Sequence, residues 1–327
     1  MTMPSVLDVI RRRAEAGSAP GRRSDGHVVA LVIEGGGMRG VVSAGMCAVL
    51  EEAGLIHTFD RVYGCSAGAV TGCFTAAGQA VLWATTYEDV AGRELIDPAR
   101  VLGKRPVLDL GFLFEAIARR KPLSEAGLAR GPAFRAVAVS VEGAALRVLG
   151  DFRDTAELLE AVRVSCTIPV IGGAPASYRG EPMVDGGLLE AIPYRSAIRE
   201  GASHVLVLRS RPAEYRVRAH SVMTELTIRR APPGLRAAMR ASASHYNRDA
   251  DALQELGRGG GAGAAVTQIA VPTDSRLVRP LSTDRGRIAE SLRLGAAAMA
   301  SALYGEPTRL MWRPVPYLDG PPVEAAA

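Results

Sequence analysis

Two glycine-rich turns carry the residue types that acyl transfer needs. The first is Glu34-Gly35-Gly36-Gly37-Met38-Arg39-Gly40 and the second is Gly64-Cys65-Ser66-Ala67-Gly68. Each follows a short apolar run that reads as a strand and precedes a small-residue run that reads as a helix. In Gly64-x-Ser66-x-Gly68 a serine stands on a sharp strand-to-helix turn, which would lift its Oγ above a helix N-terminus. Gly64 and Gly68 let strand and helix cross without Cβ clashes. The first turn offers bare backbone N–H groups. It fits Gly-x-Gly-x-x-Gly, a dinucleotide-binding loop, but that reading wants an acid at the end of the next strand. Gly64-Cys65-Ser66 stands there instead, and Asp60 precedes the strand. The other reading is an oxyanion hole spanning Gly35 to Gly40. In it the amides of Gly36 and Gly37, with Met38 as a third candidate, stabilise a tetrahedral intermediate.

A nucleophilic serine needs a base. The five histidines are His27, His57, His204, His220 and His245, and none has an informative neighbourhood. Asp185, in Met183-Val184-Asp185-Gly186-Gly187-Leu188, reads in isolation as an Asp-Gly turn. A histidine-dependent α/β-hydrolase and a non-catalytic Rossmann-like nucleotide-binding module therefore stay open as alternatives at this level.

The elements that must position these residues form a consistent pattern. His27 to Ile33 is a continuous apolar run, the sign of a strand buried on both faces. Val42, Met46, Val49, Leu50 and Ala53 share one helical face, and Gly54 ends that helix. Arg61 to Tyr63 is a second strand, and Ala67 to Ala77 a helix of small residues. Residues 79–130 read as a helical excursion that supplies part of a substrate wall. Phe134–Val141 and Ala145–Phe152 read as paired strands, and Asp154 as the N-cap of a helix ending before Pro169. His204–Arg209 and Val266–Val271 read as strands. Tyr215–Asn247 reads as basic helices broken at Pro232-Pro233, 257–264 as a Gly-rich loop, and Asp284–Tyr304 as an amphipathic helix. Strand–helix alternation predicts an α/β fold built on a parallel sheet.

A chain of 327 residues suits one large α/β domain or two small ones. Residues 1–26 read as an N-terminal appendage and linker, 27–310 as one catalytic domain with its motifs in 31–199, and 311–327 as a tail. Lys+Arg number 39 against 34 Asp+Glu, a formal net charge of +5. That excess is too small to indicate nucleic acid, but it suits peripheral contact with an anionic membrane. Arg209, Arg211, Arg216, Arg218, Arg229, Arg230, Arg236 and Arg240 form a basic stretch that reads as a membrane-facing or a solvated surface. Cys47, Cys65, Cys73 and Cys166 match no zinc spacing and read as buried free thiols of a reducing compartment. No secretory leader and no run of about 18 apolar residues is evident. The expectation is a cytoplasmic, membrane-peripheral protein with no metal or cofactor.

In combination the motifs carry a resemblance. Gly35 to Gly40, Gly64 to Gly68, Ser165-Cys166-Thr167-Ile168-Pro169, and Asp185-Gly186-Gly187 followed by Ile192-Pro193 occur in an order that resembles the bacterial patatin-like phospholipases. Gly201 to Leu208 resembles the strand that follows in that family. The likeness covers residues 28–210 and continues weakly to the helix ending near 304. It implies a three-layer sandwich, a mixed, mostly parallel sheet with helices on both faces. It also implies Ser66 as nucleophile, Asp185 as its only partner with no histidine, and lipid acyl esters as substrates. Arg39 would hold the glycine loop through a salt bridge or meet an anionic headgroup, and Cys65 and Met38 would be packing residues. One departure concerns the wall: Lys121-Pro122-Leu123-Ser124 stands where the family often has Pro-Leu-Asp.

Overall fold

A computed structural model describes residues 3–103, 105–218, 222–257 and 263–305. His220, the middle of the Gly-rich loop and the 311–327 tail lie outside the described residues. Strands β1 (Val29–Ile33), β2 (Arg61–Cys65), β3 (Ala133–Ser140), β4 (Leu146–Leu149), β5 (Ala176–Tyr178), β6 (Glu181–Asp185), β7 (His204–Leu208) and β8 (Ala265–Ile269) form one sheet. The run β8–β7–β1–β2–β3 is parallel. The pairs β3–β4, β3–β6 and β5–β6 are antiparallel. The expected mixed, mostly parallel sheet is therefore present.

The helices are α1 (Val6–Glu15), α2 (Val41–Glu52), α3 (Ala67–Ala76), α4 (Ala80–Val90), α5 (Leu110–Arg120), α6 (Glu125–Arg130), α7 (Thr155–Cys166), α8 (Tyr194–Arg199), α9 (Val222–Arg230), α10 (Arg236–Gly257) and α11 (Arg285–Tyr304). Side chains alternate across a strand, so one that is apolar throughout needs cover on both faces. In β1, Val29, Leu31 and Ile33 enter a core shared with α2, α3, α4, α7 and α11. Ala30 and Val32 enter a second core shared with α8 and α10. These are the three expected layers. Segment 1–26 is tied to them closely. Val6, Val9 and Ile10 join the first core, and buried Arg13 bonds Asp25, Asp60 and the Thr58 carbonyl.

The departure noted at Lys121-Pro122-Leu123-Ser124 is absorbed locally. Ser124 Oγ still accepts from the Gly127 amide and caps α6.

One pairing detail places the site. β4 holds Ala136 to Val139 along one edge of β3. On the other edge, β2 pairs Ala133 to Val137 and β6 takes over from Ala138 to Ser140. The C-terminal ends of β2 and β6 therefore meet end to end beside β3. Neither β5 nor β6 is evident from sequence, because both are short and Pro182 interrupts the second. Pro182 is tolerated because only its carbonyl is used, accepting from the Val141 amide.

β2 and α3 meet at very short range. A Cβ on Gly64 would lie 2.3 Å from the Gly68 carbonyl oxygen, and one on Gly68 would lie 2.4 Å from that of Ile33. Both obstacles are backbone. Gly64→Ala is expected to lower stability by about 3 kcal/mol in urea denaturation. A change below about 0.5 kcal/mol would mean that strand and helix part freely.

Candidate active site

Ser66 occupies the single-residue turn between β2 and α3 with φ 56° and ψ −129°. This is a strained backbone for a residue with a Cβ. The strain is held by neighbours. The Ser66 amide donates to Ser165 Oγ at 3.0 Å, and that hydroxyl donates to the Val137 carbonyl at 2.6 Å. Ser165, at the end of α7, thus bolts the turn to β3. Sequence reading recognised its motif but gave it no role.

Asp185 ends β6, and its amide is fixed by the Thr167 carbonyl at 2.9 Å. Its Oδ1 accepts from the Gly187 amide at 2.7 Å and from Cys65 Sγ at 3.7 Å. The Ser66 side chain is close enough to that carboxylate to stabilise its charge. Burial pushes the Asp185 carboxyl up to about 6, against the pull of Ser66, Gly187 and Cys65. Cys65 therefore does more than pack. Burial raises its own pKa well above the ordinary thiol value, so it stays protonated and acts as a donor.

The glycine loop abuts the serine. A Cβ on Gly35 would lie 3.1 Å from Ser66 Cβ. Gly37 has φ 59°, and a Cβ there would meet the Pro280 carbonyl at 2.5 Å. Among the described residues the amides of Gly36 and Gly37 have no partner. The amide of Gly35 donates to Ala191, that of Met38 to Pro280 and that of Arg39 to Gly36. Met38 is thereby removed as a third donor, because its N–H is already committed. Arg39 forms no ion pair among the described residues. Its Nε donates to the Val278 carbonyl at 3.3 Å, tying the loop to the segment before α11.

Behind the loop lies a polar cluster that sequence reading missed. Glu34 and Arg209 are fully buried and paired at 2.9 Å. The Glu34 carboxylate also accepts from the Ser210 amide and the Tyr246 hydroxyl, both at 2.8 Å. Ser210 Oγ donates to the Gly35 carbonyl at 2.7 Å. The only sequence signal was a charged residue at the end of each of two fully apolar strands.

Ser66, Asp185 and Gly35 to Met38 open into a cavity of about 360 Å³. Trp83, Tyr87, Leu95, Leu110, Leu113 and Ile171 supply its apolar wall, so the 79–130 excursion contributes as expected. No described histidine lines it. His27 and His204 meet edge to face near the opposite end of the sheet, and His245 is bound to the Leu188 carbonyl. Asp60, the acid a dinucleotide loop would require, is consumed by Arg13, Arg23 and the Val29 amide. The basic stretch is not one exposed face. Arg209 is buried, Arg216 pairs with Asp251 and Arg240 with Glu225. All four cysteines are buried and unpaired. No helix among the described residues is long and apolar enough to cross a membrane.

A strained serine beside a buried carboxylate thus stands on a mixed sheet between helical layers, an α/β architecture of three layers. Residues 31–198 match the family model described as patatin-like phospholipase, and the chain belongs to that family. It is 32% identical over 191 residues to the uncharacterized protein YjjU of Escherichia coli, covering 57% of this chain and 53% of that one. It is 32% identical over 186 residues to an uncharacterized NTE family protein of Mycobacterium tuberculosis, covering 53% of this chain and 28% of that one. The chain thus spans about half, or less, of the length of these relatives. Among solved structures, human GIVD cytosolic phospholipase A2 superposes with a TM-score of 0.45 at 12% identity, covering 92% of this chain and 62% of that one. VipD from Legionella pneumophila gives 0.41 at 14% identity, covering 86% and 67%.

Proposed function

We propose that this chain is a serine lipid acyl hydrolase that releases fatty acids from lipid acyl esters through a Ser66–Asp185 dyad. The observation that carries this reading is the buried Asp185 carboxylate beside Ser66 where β2 and β6 meet, next to two amides with no partner among the described residues. Family membership supports lipid hydrolysis as the reaction class. The apolar cavity wall suits an acyl chain, and the mild basic excess suits peripheral contact with an anionic membrane.

Asp185 accepts the Ser66 proton as Oγ bonds to the ester carbonyl carbon. The carbonyl electron pair moves onto oxygen, where the Gly36 and Gly37 amides receive it. The intermediate collapses, the C–O bond to the alcohol breaks, and the alcohol takes the proton from Asp185. Water then attacks the acyl-serine and gives its proton to Asp185, which returns it to Ser66 as the fatty acid leaves. A carboxylate raised by burial is a better base than a solvated one.

Hydrolysis of p-nitrophenyl butyrate and decanoate by the wild-type chain tests the reading, with the longer ester expected to react faster in an apolar cavity. Ionised Asp185 is the active form. Log kcat/KM should therefore climb with pH and level off, with its midpoint at about 6. A flat profile between about pH 5 and 8 would remove Asp185 as the base.

A further inference from the structure

We propose that Arg211 is a specificity-determining residue that binds an anionic group, phosphate in the first instance, on the alcohol side of the ester. The site then favours acyl esters with an anionic headgroup over neutral glycerides. The assignment of sides rests on the hydrolase reading above.

Arg211 lies just beyond β7 and lines the cavity, with its side chain 17% exposed. Its Nε is buried without a hydrogen-bond partner. Nε alone among its nitrogens is both enclosed and unpartnered, and the residue as a whole lines the cavity. The guanidinium is held in place rather than free to swing. It stacks 4.8 Å from the Tyr215 ring centre and 4.7 Å from that of Tyr246.

Arg209 and Arg211 share one carboxylate. The nearest carboxylate is Glu34, whose Oε1 is 4.0 Å from Arg211 Nε. That carboxylate is already occupied by Arg209, the Ser210 amide and Tyr246. Arg39 adds a further positive field from the glycine loop. A guanidinium withdrawn from water with only a shared, more distant carboxylate is poorly compensated, and its planar fork matches the oxygens of a phosphate.

The position fits the alcohol side. Trp83, Tyr87 and Leu113 reach the cavity from the core on one face of the sheet. Tyr246, which stacks on Arg211, belongs to the core on the other face. Ser66 follows a central strand of the sheet that separates these two cores, so an acyl chain on the apolar wall directs the alcohol toward Arg211.

The test uses the full chain carrying Ser66→Ala, so that binding is read without turnover. 1-Decanoyl-lysophosphatidic acid and 1-monodecanoylglycerol differ only in the phosphate, and with Trp312→Phe added throughout, the fluorescence of Trp83 in the wall reports both. The phosphate-bearing ligand should bind about tenfold tighter or better. Adding Arg211→Met should bring the ratio of the two dissociation constants to about one, and Arg211→Lys should restore part of it. Equal constants without any Arg211 substitution would overturn the proposal, even if Arg211→Met failed to fold. Inorganic phosphate should not tighten binding of the neutral ligand. If it did so to the level of the lysophosphatidic acid, the anion would come from solution and the headgroup assignment would fall. A preserved ratio in a chain whose wild type hydrolyses no ester would sink the hydrolase reading alone.

Discussion

Ser66→Ala and Asp185→Asn are each expected to lower ester hydrolysis by about 10,000-fold or more while the fold stays intact. Ser66→Ala removes the attacking oxygen, and no neighbour can replace it. Ser165 Oγ is committed to the Val137 carbonyl, and Cys65 is a buried, protonated thiol. Asp185→Asn keeps the size of the side chain and an acceptor for the Gly187 amide, but an amide cannot take the serine proton. The double variant should be no slower than either single one, because the two groups act as one unit. Stability supplies the control, and its sign runs opposite to activity. The folded-state value of about 6 for Asp185 lies above the ordinary carboxylate value, so folding takes up a proton between these two. The buried charge therefore lowers stability fully above about pH 6 and not at all below about pH 4. Asp185→Asn should raise the thermal midpoint at pH 8 and leave it nearly unchanged at pH 4. An inactive variant that melts lower at pH 8 would have lost its structure, and retained turnover in either single variant would end the dyad.

Arg209→Met carries the largest expected effect on stability. Arg209 and Glu34 are both fully buried. Arg209 also donates to Gln268 Oε1 at 2.8 Å and to the Tyr246 hydroxyl at 2.9 Å. Deleting the cation strands a carboxylate in the core, which costs about 3–5 kcal/mol. Removing both charges together, with Glu34→Leu added, should recover most of that loss, since the penalty comes from the unpaired charge. Urea denaturation of the two variants measures both numbers. A loss below about 1 kcal/mol for Arg209→Met would mean that Arg211, 4.0 Å from the same carboxylate, takes over the pair. Activity should fall with stability, because Ser210, held by Glu34, also holds the Gly35 carbonyl.

The elbow and the amide loop were legible because each is a run of consecutive residues. Glycines at 64 and 68 around Ser66, and at 35 to 37 and 40, state a local backbone geometry that needs no distant partner. The two-sided burial of β1 and β7 was legible for the same reason: a strand apolar at every position needs helices on both faces. Asp185 was different. It lies 120 residues beyond Cys65 and by itself reads as a turn, and only its company in the family pattern marked it.

The amino-acid sequence by itself determined the layered α/β fold, the serine turn and the donor loop, since these follow from periodicity and from where glycine stands. Only the tertiary structure decided that β2 and β6 meet end to end on one edge of β3, setting Asp185 against Ser66. It also decided that Met38 has spent its amide and that the first helix is part of the core. Arg209 and Arg211, alike in the basic stretch, were separated there into a cation paired with Glu34 at 2.9 Å and one at 4.0 Å from the same carboxylate with its Nε unpartnered. The physical reason is that burial sets the proton affinity of Asp185 and the need of Arg211 for an anion. Burial is made by segments far apart in the chain, so no window of sequence contains it.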